Sequence, residues 1–238
     1  MDKTDTLLVT RPPTAQQPLL GLTILLVEDS RFASESVRLM CLRSGARIRR
    51  ADCLQTARRH LAAYRPSVVL VDIGLPDGSG LDLLDTLASA TPRIPVLIGT
   101  SGDSAAQDAV MQAGADGFLA KPIDNLAAFQ TAILQHLPAD RQPRGLRAMS
   151  LDTVEPDQVA FRDDLNVVAG LLAQADADRS LPYVTQFLGG VARDMHDTDL
   201  DRAVRAVETS GTGSAMPRKQ VAALSQLVQQ RIAAGGLL

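Results

Sequence analysis

Residues 67–73, Ser67-Val68-Val69-Leu70-Val71-Asp72-Ile73, set four consecutive aliphatic side chains directly before a carboxylate. A strand that is apolar on both faces is covered on both sides, which is the condition of a strand inside a parallel sheet flanked by helices. Working outward, LTILLV at 22–27 and PVLIGT at 95–100 have the same character, and shorter strand-like runs occupy 46–51 and 116–120. Amphipathic stretches at 31–44, 54–64, 80–89, 104–113 and 124–137 alternate with them. This alternation predicts an α/β fold, a doubly wound five-stranded parallel sheet over residues 22–137. Ligands of such sheets gather beyond the carboxyl ends of the strands. The polar residues ending the apolar runs there are Glu28, Asp29, Asp72, Thr100 and Lys121.

The flanks read differently. Residues 1–21 contain Pro12-Pro13 and Pro18 among polar residues and are expected to be a flexible leader. Residues 138–150, with Pro138, Pro143, Gly145 and three arginines, are expected to be a linker. Beyond it, Phe161, Leu165, Val168, Leu172 and Ala175 are spaced 4-3-4-3, and Val184, Leu188, Val191 and Met195 are spaced 4-3-4. Leu200, Val204 and Val207, a break at SGTGS, and Pro217 before Val221, Leu224, Val228 and Ile232 continue the pattern. Residues 151–238 are therefore expected to be an all-α region.

Of the 238 residues, 45% are hydrophobic and 21% charged, which suits a globular chain and excludes a collagen-like or disulfide-stapled one. Cys41 and Cys53 have no CxxC partner and are expected to be reduced. No stretch reaches the roughly 18 apolar residues of a membrane span, so a cytoplasmic protein without a membrane partner is expected.

Glu28, Asp29 and Asp72 offer three carboxylates to one rim, a hard oxygen environment of the type magnesium favours. Taken singly, each acid is explained as well by a loop or helix cap. Four strings carry more in combination. LLVEDS (25–30), VLVDIGLPDGSGLDLL (69–84), PVLIGTS (95–101) and GFLAKPI (117–123) resemble, in order and spacing, the receiver domain of bacterial two-component response regulators.

The resemblance implies a flavodoxin-like receiver with Asp72 as the phosphoacceptor, served by a histidine kinase or a histidine phosphotransfer protein. It implies Mg2+ held by Asp29, Asp72 and the Gly74 carbonyl, with Glu28 acting through water, and Lys121 against the phosphoryl oxygens. Thr100 and Phe118 would be the switch pair, the fourth helix, fifth strand and fifth helix the readout face, and Lys121–Pro122 a cis peptide. A phosphoacceptor signalling protein that assists its own phosphorylation and dephosphorylation, and is not an enzyme acting on others, is the expectation. Glu28 stands where aspartate is commoner, and Ser101 where alanine is usual.

The helical region offers fewer clues. Residues 139–238 hold eleven Lys and Arg against thirteen Asp and Glu, so a nucleic-acid partner is not expected. A DNA-binding regulator stays as an alternative, and so does a phosphorelay intermediate using His196, the region's only histidine. The leading expectation is a helical output region, making a homodimer or binding another protein.

Overall fold

The computed structural model describes residues 12–143, 154, 158–174, 177–210 and 218–234. Most of the expected leader and linker, together with Ala175, the 211–214 break and Pro217, lies outside the described residues.

Chain order runs β1 (Thr23–Val27), α1 (Arg31–Ser44), β2 (Arg47–Ala51), α2 (Leu54–Ala63) and β3 (Val68–Asp72). A two-residue hairpin, β4 (Gly74–Leu75) with β5 (Gly78–Ser79), leads into α3 (Gly80–Ala88). Then come β6 (Val96–Ser101), α4 (Gln107–Gln112), β7 (Gly117–Ala120) and α5 (Leu126–Leu134). The five long strands form one parallel sheet in the order β2-β1-β3-β6-β7. Every residue of β3 is buried, as its unbroken apolar run requires.

Helix ends follow local chemistry. Ser30 begins α1 with its hydroxyl accepting from Ala33 N, and Gly45 ends it at φ 79°, a left-handed conformation that costs glycine least. Ser79 and Asn125 cap α3 and α5 in the same way as Ser30. The fourth helix is shorter than 104–113, because Asp103 accepts from Ala105 N and draws 104–106 into a 3-10 turn first. Two cores sandwich the sheet, one around Ile24, Leu70, Ile98 and Phe129, the other around Leu25, Val69, Leu84 and Leu97.

The helical region comprises α6 (Gln158–Leu172), α7 (Ala177–Asp194), α8 (Thr198–Ser210) and α9 (Arg218–Ala234). Its core is assembled from Leu165, Val168, Val184, Leu188, Leu200, Val204, Val207, Leu224 and Val228, the residues of the 4-3 stripes. Val191 and Met195 are the exceptions: Val191 is buried but lines the cleft beside Asp72, and Met195 lies past the end of α7 at Asp194, with Ala192 in the core instead.

The region packs α6 against α1, and α7 against α1 and β4. It is therefore seated on the rim at the carboxyl ends of the strands. The α4–β7–α5 surface, expected to be the readout face, is not its main seat. The reason is local: α6 supplies an anion to the start of α1, as described below.

Candidate functional site

A parallel sheet brings the carboxyl ends of its strands to one edge, and the register fixes which residues meet there. Val27 pairs with Val71, and Asp72 pairs with Thr100. Glu28 and Asp29 follow β1, and Lys121 follows β7 through Ala120, which pairs with Ser101. All the expected acids therefore converge: one carboxylate oxygen from each of Glu28, Asp29 and Asp72 lies within 4.8 Å of the others. Lys121 Nζ sits between two of them, 2.7 Å from Glu28 Oε2 and 2.8 Å from Asp72 Oδ2. The Lys121–Pro122 peptide is cis.

The loop after β3 is shaped around Asp72. Gly74 N–H donates to Asp72 Oδ1 at 3.3 Å. Gly80 lies so close to the strand that a Cβ there would stand 2.1 Å from the Asp72 carbonyl oxygen, which reserves the place for glycine. Asp77, at the tip of the hairpin, accepts from Leu54 N and Gln55 N and so ties this loop to the start of α2.

One ammonium faces three carboxylates, and the electrostatics show the imbalance. Burial, added to the like charges of Asp72 and Asp29, raises Glu28 well above the usual carboxylate range despite the attraction of Lys121. Asp29 is pushed up to about 6, chiefly by burial. Burial alone would lower Lys121, but Asp72 and Glu28 overcome it and hold the ammonium charged. A cation that replaces the lost hydration would relieve all three acids, so the cluster has the donors and the charge to hold a metal ion.

Thr100 is 1% exposed, and its Oγ1 has no hydrogen-bond partner. A buried hydroxyl left unpaired costs about 1–3 kcal/mol and marks a place where a ligand oxygen would be welcome. Phe118 is partly buried against the core beside it.

The helical region supplies the far wall of the same cleft, and these residues went unforeseen. Asp164 of α6, 2% exposed, accepts from Ser30 Oγ at 2.8 Å, Arg31 N at 2.8 Å and Phe32 N at 3.0 Å. It thereby satisfies first-turn donors of α1 and meets the positive end of that helix. Phe161 of α6 stacks edge-on against Phe32, ring centres 6.0 Å apart. Tyr183 of α7 donates its hydroxyl to Asp29 Oδ2 at 2.7 Å. Gln186, Arg193 and Asp194 line the cleft with Asp72 and Lys121, and Asp194 is pushed up to about 6, chiefly by burial.

One of these was visible in principle: Asp164 falls three residues after Phe161, on the apolar stripe of α6, where a charge needs a partner. Tyr183 and Gln186 carry no such signal, since phenol and amide are ordinary on a helix surface.

His196 does not join this cleft. It occupies the left-handed residue after α7, φ 55°, where Asp197 N bonds back to Ala192 O at 2.8 Å, a helix-ending turn. It borders a second cleft, with Phe32, Ile123 and Asp124, that shares Glu28 and Lys121.

Comparison with known proteins places this geometry. A family profile described as "Response regulator receiver domain" matches residues 24–133. The chain is similar to the KDP operon transcriptional regulatory protein KdpE of Escherichia coli, 28% identical over 134 residues, 56% of this chain and 60% of that protein. It is likewise similar to the response regulator MprA of Mycolicibacterium vanbaalenii, 31% identical over 139 residues, 57% of this chain and 60% of that protein. The crystal structure of a signal receiver domain from a histidine kinase of Syntrophus aciditrophicus is 25% identical, covering 54% of this chain and 99% of that one with a TM-score of 0.44. The chain spans about three fifths of the length of these two curated relatives. Strand order, the acidic triad with its lysine and the profile match agree, and the segment from residue 24 to residue 133 belongs to the response regulator receiver family.

Proposed function

We propose that this protein is a two-component response regulator in which Asp72 accepts a phosphoryl group from a histidine kinase or a histidine phosphotransfer protein. The observation that carries this reading is the placement of Asp72 at 2.8 Å from Lys121 and beside the Glu28 and Asp29 carboxylates. An Asp72 oxygen attacks phosphorus, the bond to the donor nitrogen breaks, and the phosphoryl group remains as an acyl phosphate. In-line phosphoryl transfer asks mainly for positioning and charge neutralisation. The Lys121 ammonium supplies one positive charge to the transferring oxygens, and Thr100 Oγ1 has an unused hydrogen to donate.

Mg2+ suits the donor set, since its carboxylates are hard oxygen ligands. Asp29 and Asp72 would hold it directly with the Gly74 carbonyl, and Glu28 through water; bound there, it supplies positive charge to the phosphoryl oxygens.

The helical region is the output in this reading. Because α7 walls the cleft, a phosphoryl group on Asp72 acts on the region at the site itself, as well as through Thr100 and Phe118. Acetyl phosphate with Mg2+ is expected to add one phosphoryl mass to the full chain and none to Asp72→Asn. A second acceptor in that variant, His196 included, would be seen as a persisting adduct and would sink the assignment.

A transcriptional output is the second reading, favoured by the name of KdpE, a transcriptional regulatory protein. The expectation that nucleic acid is not a partner is not supported by that similarity. Salt-dependent binding of duplex DNA by the phosphorylated chain is the test of this output.

A further inference from the structure

The wall that α7 builds opposite Asp72 has a chemical composition of its own. Tyr183 and Thr185 are its hydroxyl groups, and both are engaged: the phenol donates to Asp29, and Thr185 Oγ1 donates to the Pro182 carbonyl at 3.1 Å. Gly189 and Gly190 carry no side chain, and the direction a Cβ of Gly190 would take is open space. Gln186 reaches across to Gly74, two residues beyond Asp72. A Cβ at Gly74 would lie 1.9 Å from Gln186 Nε2, so the missing side chain of Gly74 is what admits the amide. That amide forms no hydrogen bond among the described residues, and Gln186 is exposed to solvent.

Three cations, Lys121, Arg193 and Arg205, border the same space, which measures about 450 Å³. Lys121 touches Asp72, and the Arg193 guanidinium packs over Gly102, the second residue after Thr100, with its buried Nε unpartnered. A phosphoryl group and a water molecule, whose share of the liquid is about 30 Å³, fit together in such a volume.

We propose that the helical region gives the receiver a built-in hydrolysis of its own phosphoaspartate, with the Gln186 amide positioning the attacking water. The inference rests on the phosphoacceptor reading of Asp72. An amide is suited to the task because its oxygen accepts from the water while its NH2 donates to a phosphoryl oxygen, and glutamine performs this orientation in other phosphoryl-transfer sites. The water oxygen forms a bond to phosphorus, and the bond between phosphorus and the Asp72 oxygen breaks, its electron pair staying on the carboxylate. Both water protons leave with the phosphate, which then equilibrates with solvent. Both hydroxyls of the wall are already engaged, so neither competes with water for the phosphoryl group.

The test uses the full chain, phosphorylated with acetyl phosphate and Mg2+ and freed of donor, with decay of the phosphoryl adduct followed by intact mass. Gln186→Ala is expected to lengthen the half-life at least about tenfold, in line with the loss of one positioning contact in a transition state. Gln186→Asn, which keeps the amide on a shorter arm, is expected to fall between the two. Amide exchange in α7 should be the same in all three proteins. Half-lives within twofold of one another overturn the inference. So does equal slowing in both variants with loss of α7 protection, because coverage by the helix would then be responsible. If the unsubstituted chain takes up no phosphoryl group, the reading of Asp72 has failed and this inference falls with it; an adduct whose decay ignores Gln186 refutes the inference alone.

Discussion

Removing the Asp164 carboxylate is expected to loosen the helical region from the receiver. Asp164→Ala deletes three hydrogen bonds, to Ser30 Oγ, Arg31 N and Phe32 N, each accepted by a charged group. Bonds of that type contribute about 1.5–3 kcal/mol each to a folded arrangement. The sum overstates the loss, since burial itself opposes the charged form and raises the Asp164 pKa. The donors of α1 also regain water when the region lifts away. A net cost of about 2–4 kcal/mol to docking is the result, which shifts the docked-to-undocked ratio by about thirtyfold to several hundredfold. Hydrogen exchange resolved to peptides reads this directly, with faster exchange expected in the first turn of α1 and along the α6 and α7 faces toward the cleft. The α6–α9 core should keep its own protection. Protection factors within about threefold of the parent protein across both sets of peptides would refute the view that Asp164 holds the region in place.

Two further outcomes follow from the same geometry. Tyr183→Phe removes the donor that lowers the Asp29 pKa, so Asp29 holds its proton more tightly and Mg2+ binding measured by calorimetry at pH 7 should weaken about tenfold. Unchanged affinity would mean that the phenol does not orient the carboxylate. In chelator, Asp29 and Asp194 both titrate near 6 in the folded protein, above their ordinary value of 3.8. The folded state therefore binds more protons than the unfolded one between about pH 4 and 6, and urea midpoints should rise as pH falls from 7 through that window. Saturating Mg2+ should remove the share due to Asp29.

The sequence was most informative where periodicity and burial coincide. Val68–Val71 could only be a covered strand, and the carboxylates that end such strands were bound to share an edge once the sheet was parallel. Apolar stripes likewise identified the members of the helical core, since a 4-3 spacing has one buried face. Neither argument says what that helical unit leans on. Its seat is decided by Asp164 and the amides at the start of α1, residues 133 and 132 positions apart in the chain, and by one phenol reaching one carboxylate. Such contacts leave no periodic trace. The expected α4–β7–α5 readout face came from the family resemblance, which ends near residue 133 and carries no information about a region outside it.

The short loop Glu28-Asp29-Ser30 serves two masters. Its acids belong to the carboxylate cluster with Asp72, while Ser30 and the amides just after it are held by Asp164, and Asp29 is shared directly with Tyr183. Two binding events that use one loop are joined by thermodynamic linkage, and the coupling is the same in both directions. Whatever factor the docked helices contribute to Mg2+ affinity, Mg2+ returns to the docking equilibrium. With Mg2+ in the site proposed above, a change in free Mg2+ would adjust how tightly the helical region is held, independently of any phosphoryl group.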